Sequence, residues 1–350
     1  MVGPVSILAY ATAVPPHVLE QERVAERMRG TFGRIFSRYP GLADVFDNAG
    51  IKRRYSVRPL DWFDAPHDWS ERTKTYLEGA DALFLAAAKK ALTRAKISAR
   101  DVDVIVTVSS TGIATPSLEA RVGRRLGFRP DVSRVPVFGL GCAGGVSGLA
   151  IGSQLARAKP GNIVMVVIIE LCTLAFRRDR GTKADVIASA LFGDGAAAVI
   201  LRAGDEPANI QIGAAGEHLW PGTLDIMGWS VDPIGFGVVL KRSLPRFVEQ
   251  RLAGPARRFL KKEGLNGRTR FICHPGGAKV LAAVEAAFEL QTGTLADERA
   301  VLRDFGNMSA PTVIFVLEYA LKRGFSGPAI LSALGPGFTA SFLAIEAARG

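Results

Sequence analysis

Three side chains of the 350-residue sequence stand where chemistry is possible: Cys142 in FGLGCAGG, His274 in ICHPGG and Asn307 in FGNMSAPT. The apolar approach Val135 to Leu140 ends in the cysteine turn, and Gly148 to Ala158 follows with a helical pattern. This predicts a buried strand, a tight turn and a buried helix. A cysteine on such a turn lies near the first-turn N–H groups and the positive end of the helix dipole, both of which favour thiolate over thiol. Flanking glycines leave room for a substrate carbonyl to approach the backbone. A buried structural cysteine is the alternative reading of the same turn, because free cysteine is among the most buried residue types. His274 closes an apolar strand and precedes Pro275, Gly276 and Gly277, a turn that exposes the imidazole. Asn307 sits in a Gly-led turn ahead of a helix, with Ser309 close by as a cap. A nucleophile, an imidazole and a neutral amide, each at a glycine-flanked element end, form a set that packing alone does not demand.

The elements that position these turns alternate between short apolar runs and longer amphipathic ones. Val102 to Val108, Ile163 to Ile169, Phe271 to Cys273, Ala329 to Ala333 and Ser341 to Ile345 read as strands. Leu77 to Ala95, Leu118 to Leu126, Leu244 to Glu263, Lys279 to Glu289 and Ala310 to Lys322 read as helices. Gly50 to Lys74 reads as an irregular surface excursion. Each half closes on a glycine turn and a strand, LFGDGAAAVIL in the first and LGPGFTASFLAIEA in the second. The echo predicts two duplicated α/β halves, residues 1–205 carrying Cys142 and residues 206–350 carrying His274 and Asn307, each a mixed sheet covered by helices.

Hydrophobic residues at 48% and charged residues at 22% exclude a disordered or fibrous chain. Cys142, Cys172 and Cys273 form neither an even framework nor a CxxC pair, which argues against structural disulfides and zinc and for a reducing compartment. The amino-terminal stretch lacks the basic region of a secretory signal, and the apolar run from Ile163 is stopped by Glu170, too short to span a bilayer. A cytoplasmic location is expected. A net charge of +11 is met mostly by solvated faces. Its functional reading is attraction of anionic ligands, such as a nucleotide-bearing acyl carrier, or of an anionic membrane surface. No aromatic-basic interleaving points to nucleic acid.

Taken in order, GCAGG, ALFGDGAAAVIL, CHPGG, GNMSAPT and GPGFT, with IKRRY near the amino end, resemble the type III polyketide synthases, the chalcone-synthase-like branch of the thiolase superfamily. The resemblance runs over nearly the whole chain. Ketoacyl carrier-protein synthases of the initiating type share Cys, His and Asn but typically lack the Pro-Gly-Gly after the histidine. The resemblance implies the duplicated thiolase fold in αβαβα layers, a homodimer, and acyl-CoA and malonyl-CoA as substrates with no metal or bound cofactor. It implies that Cys142 takes the starter acyl group as a thioester, and that His274 pairs with the thiolate and donates to the developing oxyanion. It gives Asn307 the second donor and Phe192 the apolar wall beside the malonyl carboxylate. Asp194 reads as a turn former.

Departures from the plant pattern speak about substrate. The second gatekeeper falls on Val238, with Phe236 two residues away, and threonines that narrow the plant cavity fall on Cys172 and Ala175. Ser110, Thr111, Thr115 and Ser309 are expected around the pocket, and Trp229 fills space where plant enzymes carry a small residue. Smaller, more apolar groups at 172 and 175 predict an inward channel for a long thin starter, similar to bacterial members that make alkylpyrones or alkylresorcinols from fatty acyl-CoA. Malonyl-primed, aromatic-starter and carrier-protein-dependent enzymes are the competing readings, and a non-catalytic acyl-binding scaffold is the reading from another class. For CoA, Lys52, Arg53 or another basic cluster is expected at the phosphates, and Gly276 and Gly277 along the pantetheine arm. Starter length, number of extensions and mode of ring closure depend on cavity shape and are not read from the sequence.

Overall fold

Runs of Val, Ile and Ala without a polar break tolerate burial on both faces, and these runs form the middle of the sheet. The computed structural model describes residues 4–204, 209–265 and 269–348, so the boundary expected between residues 205 and 206 lies outside the described residues. The strands are β1 (Val5–Ala13), β2 (His17–Glu20), β3 (Arg53–Ser56), β4 (Val102–Val108), β5 (Ser133–Val137), β6 (Ile163–Leu171), β7 (Asp194–Ala203), β8 (Ile210–Leu219), β9 (Met227–Asp232), β10 (Gly235–Leu240), β11 (Arg270–Cys273), β12 (Gly327–Gly335) and β13 (Thr339–Ala347). The α-helices are α1 (Gln21–Thr31), α2 (Gly33–Arg38), α3 (Trp69–Ala95), α4 (Leu118–Leu126), α5 (Gly144–Ala158), α6 (Lys183–Leu191), α7 (Leu244–Arg251), α8 (Ala253–Lys262), α9 (Ala278–Ala287), α10 (Ala296–Phe305) and α11 (Thr312–Lys322).

Nine strands make one mixed sheet in the order β11-β12-β13-β8-β1-β7-β6-β4-β5. Its two parts repeat one another. In the first, β4 runs parallel to β6, β6 antiparallel to β7 and β7 antiparallel to β1. In the second, β11, β12, β13 and β8 follow the same order with the same senses. A short antiparallel contact, Val5 opposite Ile212, joins the parts.

Alternation along the strands then sets the layers. Val104, Val106, Val164, Val166 and Ile168 share one core with residues of α5, α11 and the second part of the sheet, including Leu331 and Leu343. Ile105, Met165, Val167 and Ile169 point the other way and pack on α3. In the second part Ile330, Phe342 and Ala344 pack outward on α7, α8 and α9. The result is the five-layered thiolase arrangement, α3, sheet, α5 with α11, sheet, and α7 to α9.

The central layer demands close approach. At Gly145 a Cβ would stand 2.2 Å from the carbonyl oxygen of Ala310, and at Gly144 one would stand 2.7 Å from Val108. The glycines after Cys142 therefore seat α5 between the sheets, where the sequence reading had kept them free for a substrate carbonyl. The strand expected over Val135 to Leu140 is β5, displaced toward the amino end. Within Gly50 to Lys74 the chain is more regular than expected, with β3 paired to β2 and α3 already beginning at Trp69. Glycines broke the apolar pattern of β8 to β10 and hid those strands. Among the described residues no helix is long and apolar enough to cross a membrane.

Candidate active site

Cys142 lies in a single 3-10 turn, Gly141–Ala143, that runs directly into α5. Ser110 holds this turn from the neighbouring loop, its hydroxyl accepting from the N–H groups of Gly139 and Gly141, both at 3.2 Å. His274 extends β11 by one bond, its N–H donating to Ser332 O at 2.8 Å, and it lines the cavity of the site. Cys273 faces the opposite way into the outer core. Asn307 follows α10 and is tied to the other half. Its N–H donates to Leu191 O (2.8 Å), and its carbonyl accepts from Gly193 N–H (3.0 Å). Its side chain is fixed at both ends, Nδ2 donating to Gly276 O (3.0 Å) and Oδ1 accepting from Ser309 N–H (2.8 Å). Ser309 adopts a left-handed φ of 59°, and its hydroxyl, in the same cavity as the Cys142 thiol, favours the thiolate.

Cys142, His274, Asn307 and Ser309 line one cavity of about 930 Å³. That is near the top of the range for small-molecule sites, roughly 300–1,000 Å³, and leaves room for a starter and its extensions together. Both ring nitrogens of His274 are buried without a hydrogen-bond partner among the described residues. Burial pushes the Cys142 thiol up to about 12, with the Ser309 hydroxyl working against the rise. Burial also pulls His274 down to about 3. Burial therefore favours the neutral form of each group, thiol and imidazole. Burial works against the ion pair expected from the sequence, which would form by passage of a proton from Sγ to the ring.

The wall opposite is built around a residue that the sequence reading treated only as the end of an apolar run. Glu170 is fully buried at the end of β6. Its two oxygens accept from Ser110 N–H at 3.1 and 3.0 Å, and Thr111 Oγ1 donates to Oε2 at 2.7 Å while accepting from Leu171 N–H. A carboxylate inside a Val-Ile strand was the available signal. Burial raises Glu170 to about 8, against the pull of these donors. A carboxyl group raised from 4.5 to about 8 supports the fold fully below 4.5 and loses that support as pH climbs through 8. Between pH 5 and 8 the melting temperature of the wild type should therefore fall relative to Glu170→Gln, by on the order of a few kcal/mol in stability. Parallel pH profiles for the two proteins would show that Glu170 is ionised in the fold.

Several expected wall residues are in place. Trp229 Nε1 donates to Ser110 O at 2.8 Å, and its ring meets Phe192 edge-on at 6.3 Å. Thr111, Cys172, Phe192, Val238, Gly276 and Gly277 line the cavity. Arg54, buried within IKRRY, fixes the Phe192 carbonyl at 2.7 Å. Asp194 is no mere turn former, for it opens β7 and accepts from Val57 N–H, Thr173 N–H and Thr173 Oγ1.

Other expectations fail. Ala175 packs behind the wall against Ala188 and Val238. Thr115 is exposed, because the chain turns outward after Thr111. Phe236 packs between Trp229 and Trp69 and takes no gatekeeper place. Lys52 and Arg53 are exposed and line no part of the cavity, since in β3 it is Arg54 that alternation turns inward. The basic rim comes from elsewhere, namely Arg38, Lys183, Lys241, Arg242, Arg246 and Lys279.

Comparison with known proteins agrees with this geometry. Residues 1–207 match the family model for the N-terminal domain of chalcone and stilbene synthases, and residues 211–346 match that for the C-terminal domain. A 1,3,6,8-tetrahydroxynaphthalene synthase of Streptomyces peucetius is 38% identical over 97% of this chain and 93% of its own. An alpha-pyrone synthesis polyketide synthase-like protein of Mycobacterium tuberculosis, Pks18, is 29% identical over 97% of this chain and 90% of its own. The crystal structure of 1,3,6,8-tetrahydroxynaphthalene synthase from Streptomyces coelicolor superposes with a TM-score of 0.91 at 26% identity, covering 99% of this chain and 100% of that one.

Proposed function

The chain belongs to the chalcone and stilbene synthase family of type III polyketide synthases, enzymes of decarboxylating Claisen condensation, and on that premise we propose that Cys142, His274 and Asn307 carry the reaction here. Cys142 gives its proton to the unpartnered imidazole of His274, and the thiolate attacks the carbonyl of an acyl-CoA. The tetrahedral intermediate collapses, CoA leaves as the thiol, and the acyl group stays on Sγ. Malonyl-CoA then loses carbon dioxide beside Phe192, whose apolar face favours the uncharged product over the carboxylate. His274 and the Asn307 amide stabilise the enolate, which attacks the acyl carbon; the bond from that carbon to Sγ breaks, Cys142 is released as the thiolate, and the lengthened chain remains on CoA. Lys241, Arg242, Arg246 and Lys279 hold the CoA phosphates in place of Lys52 and Arg53. The observation that carries the reading is that one cavity receives the nucleophile from the first half of the fold and both donors from the second.

The starter is a long-chain fatty acyl-CoA and the product an alkylpyrone or alkylresorcinol. Cys172 and Phe192, on the wall of the main cavity, also line a second, apolar cavity of about 40 Å³ bounded by Met28, Phe63 and Phe176. That volume takes only the tip of a chain, so a long tail must displace a neighbour. Met28, unbranched and readily repacked, is suited to yield. The alpha-pyrone relative agrees with this reading. The higher identity to a tetrahydroxynaphthalene synthase favours a second reading, a malonyl-primed enzyme.

Mass spectrometry of products from malonyl-CoA with starters from acetyl to stearoyl separates the two. Pyrones or resorcinols appearing with long starters support the first reading, and product from malonyl-CoA alone supports the second. In Cys172→Phe the passage between the cavities is blocked, and the preferred starter should shorten while acetyl-CoA is still used. An unchanged chain-length profile would remove the inward channel from the argument.

A further inference from the structure

Two surface features flank the cavity mouth, and of their residues the condensation uses only Lys241, Arg242 and Arg246, at the CoA phosphates. Between Lys241 and Glu263 the chain holds eight Lys and Arg against two Glu. Here α7 and α8 form a nearly continuous helix, Leu252 between them staying in the helical region. Its buried side is Leu244, Val248, Leu252, Ala256 and Phe259. Arg246, Arg251, Arg258 and Lys261 stand on the exposed side, with no ion-pair partner among the described residues.

Beside the start of α7 lies the loop after β8. Leu219, the last residue of β8, is 61% exposed and Leu224 in the loop 83%, Leu224 being the most exposed large apolar side chain described. The loop is held firmly. Trp220 packs its ring on Phe247 of α7 at 5.4 Å and on Phe338 of the cavity wall at 5.7 Å. Thr223 Oγ1 accepts from Phe338 N–H and donates to Trp220 O, each at 2.6 Å. Lys241 pairs with Asp225 across the same corner. Two leucines are thus fixed in solvent, next to an unpaired basic face, at the mouth of an apolar cavity.

We propose that this face docks on an anionic lipid surface, with Leu219 and Leu224 entering the headgroup layer and the basic side of α7 and α8 lying along it. Charge alone would also suit an acidic carrier protein. The protruding leucines favour lipid, because apolar tips beside a basic stripe are what interfacial binding requires. Each basic group near such a surface contributes about fivefold in partitioning, and a leucine leaving water on the order of tenfold or more. The purpose, passing apolar chains between bilayer and cavity, rests on the long-chain reading of the starter; the docking itself does not.

The test is flotation of the full chain with vesicles containing about 30% phosphatidylglycerol, against pure phosphatidylcholine, at low salt and at about 1 M NaCl. Binding to the anionic vesicles alone, lost at high salt, is expected. Leu224→Asp should weaken it about tenfold, and Arg258→Gln with Lys261→Gln about 25-fold. Both variants should keep wild-type turnover of soluble hexanoyl-CoA, which shows that they fold. No binding, equal binding to neutral vesicles, binding indifferent to the variants, or capture of an acidic acyl carrier protein with no vesicle binding would overturn the proposal. Vesicle binding by an enzyme that makes no long-chain product would sink the starter reading and leave the docking surface standing.

Discussion

Cys142→Ala should end condensation, lowering product formation by a factor on the order of 10⁴–10⁶, as loss of a covalent nucleophile does in other acyl-transfer enzymes. The expectation rests on the site's construction. Cys142 sits at the floor of the cavity on a turn fixed by Ser110, with His274 as the group able to accept its proton. No second thiol substitutes for it, because Cys172, though on the cavity wall, is deeply buried and its thiol is raised well above the ordinary range by burial, with the Glu170 charge adding to the rise. The variant also separates two halves of the reaction. Loss of carbon dioxide from malonyl-CoA needs hydrogen-bond donors and an apolar wall but no nucleophile, so it should persist at a measurable rate. Assay of both activities on one preparation checks the assignment. Wild-type condensation in the variant would remove Cys142 from the mechanism, and loss of both activities together would point to a damaged fold.

Asn307→Asp should cost about 10²–10³ in turnover, the usual effect of deleting one donor to a developing oxyanion. Aspartate is the informative replacement because it keeps the shape and the acceptor that Ser309 N–H requires, at 2.8 Å in the wild type. What it loses is the amide donor, and what it brings is a carboxylate oxygen facing Gly276 O. The enolate would then form beside a negative charge. Condensation and decarboxylation should fall together, since both pass through a negatively charged oxygen at this point, while acylation of Cys142 by a starter should fall less. Near-normal turnover in Asn307→Asp would mean that the side chain only braces the loop.

The local parts of this protein were legible from residue order. Cys142, His274 and Asn307 stand at turns whose glycines and prolines specify the backbone, and the apolar runs of β4 and β6 are long enough to announce a buried sheet. Where the structure departs from expectation, the cause is contact between distant segments. Gly144 and Gly145 make room for Val108 and Ala310 rather than for substrate. Lys52 and Arg53 looked suited to phosphates because of their charge, yet pairing of β3 with β2 turns Arg54 inward and leaves them outside.

The sequence by itself carried the alternation of strands and helices, the candidate residues at their turns and the ordered motifs whose resemblance points to the family, because turn chemistry and motif order act over a few residues and survive in the linear chain. Only the tertiary structure decided the burial around Cys142 and His274, the carboxyl network of Glu170 and the position of the basic rim. Burial is imposed by neighbours in space, and it shifts both groups toward their neutral forms. The rim gathers side chains from α2, α6, α9, α7 and the approach to α7 around one opening, and no spacing in the chain foretells that meeting.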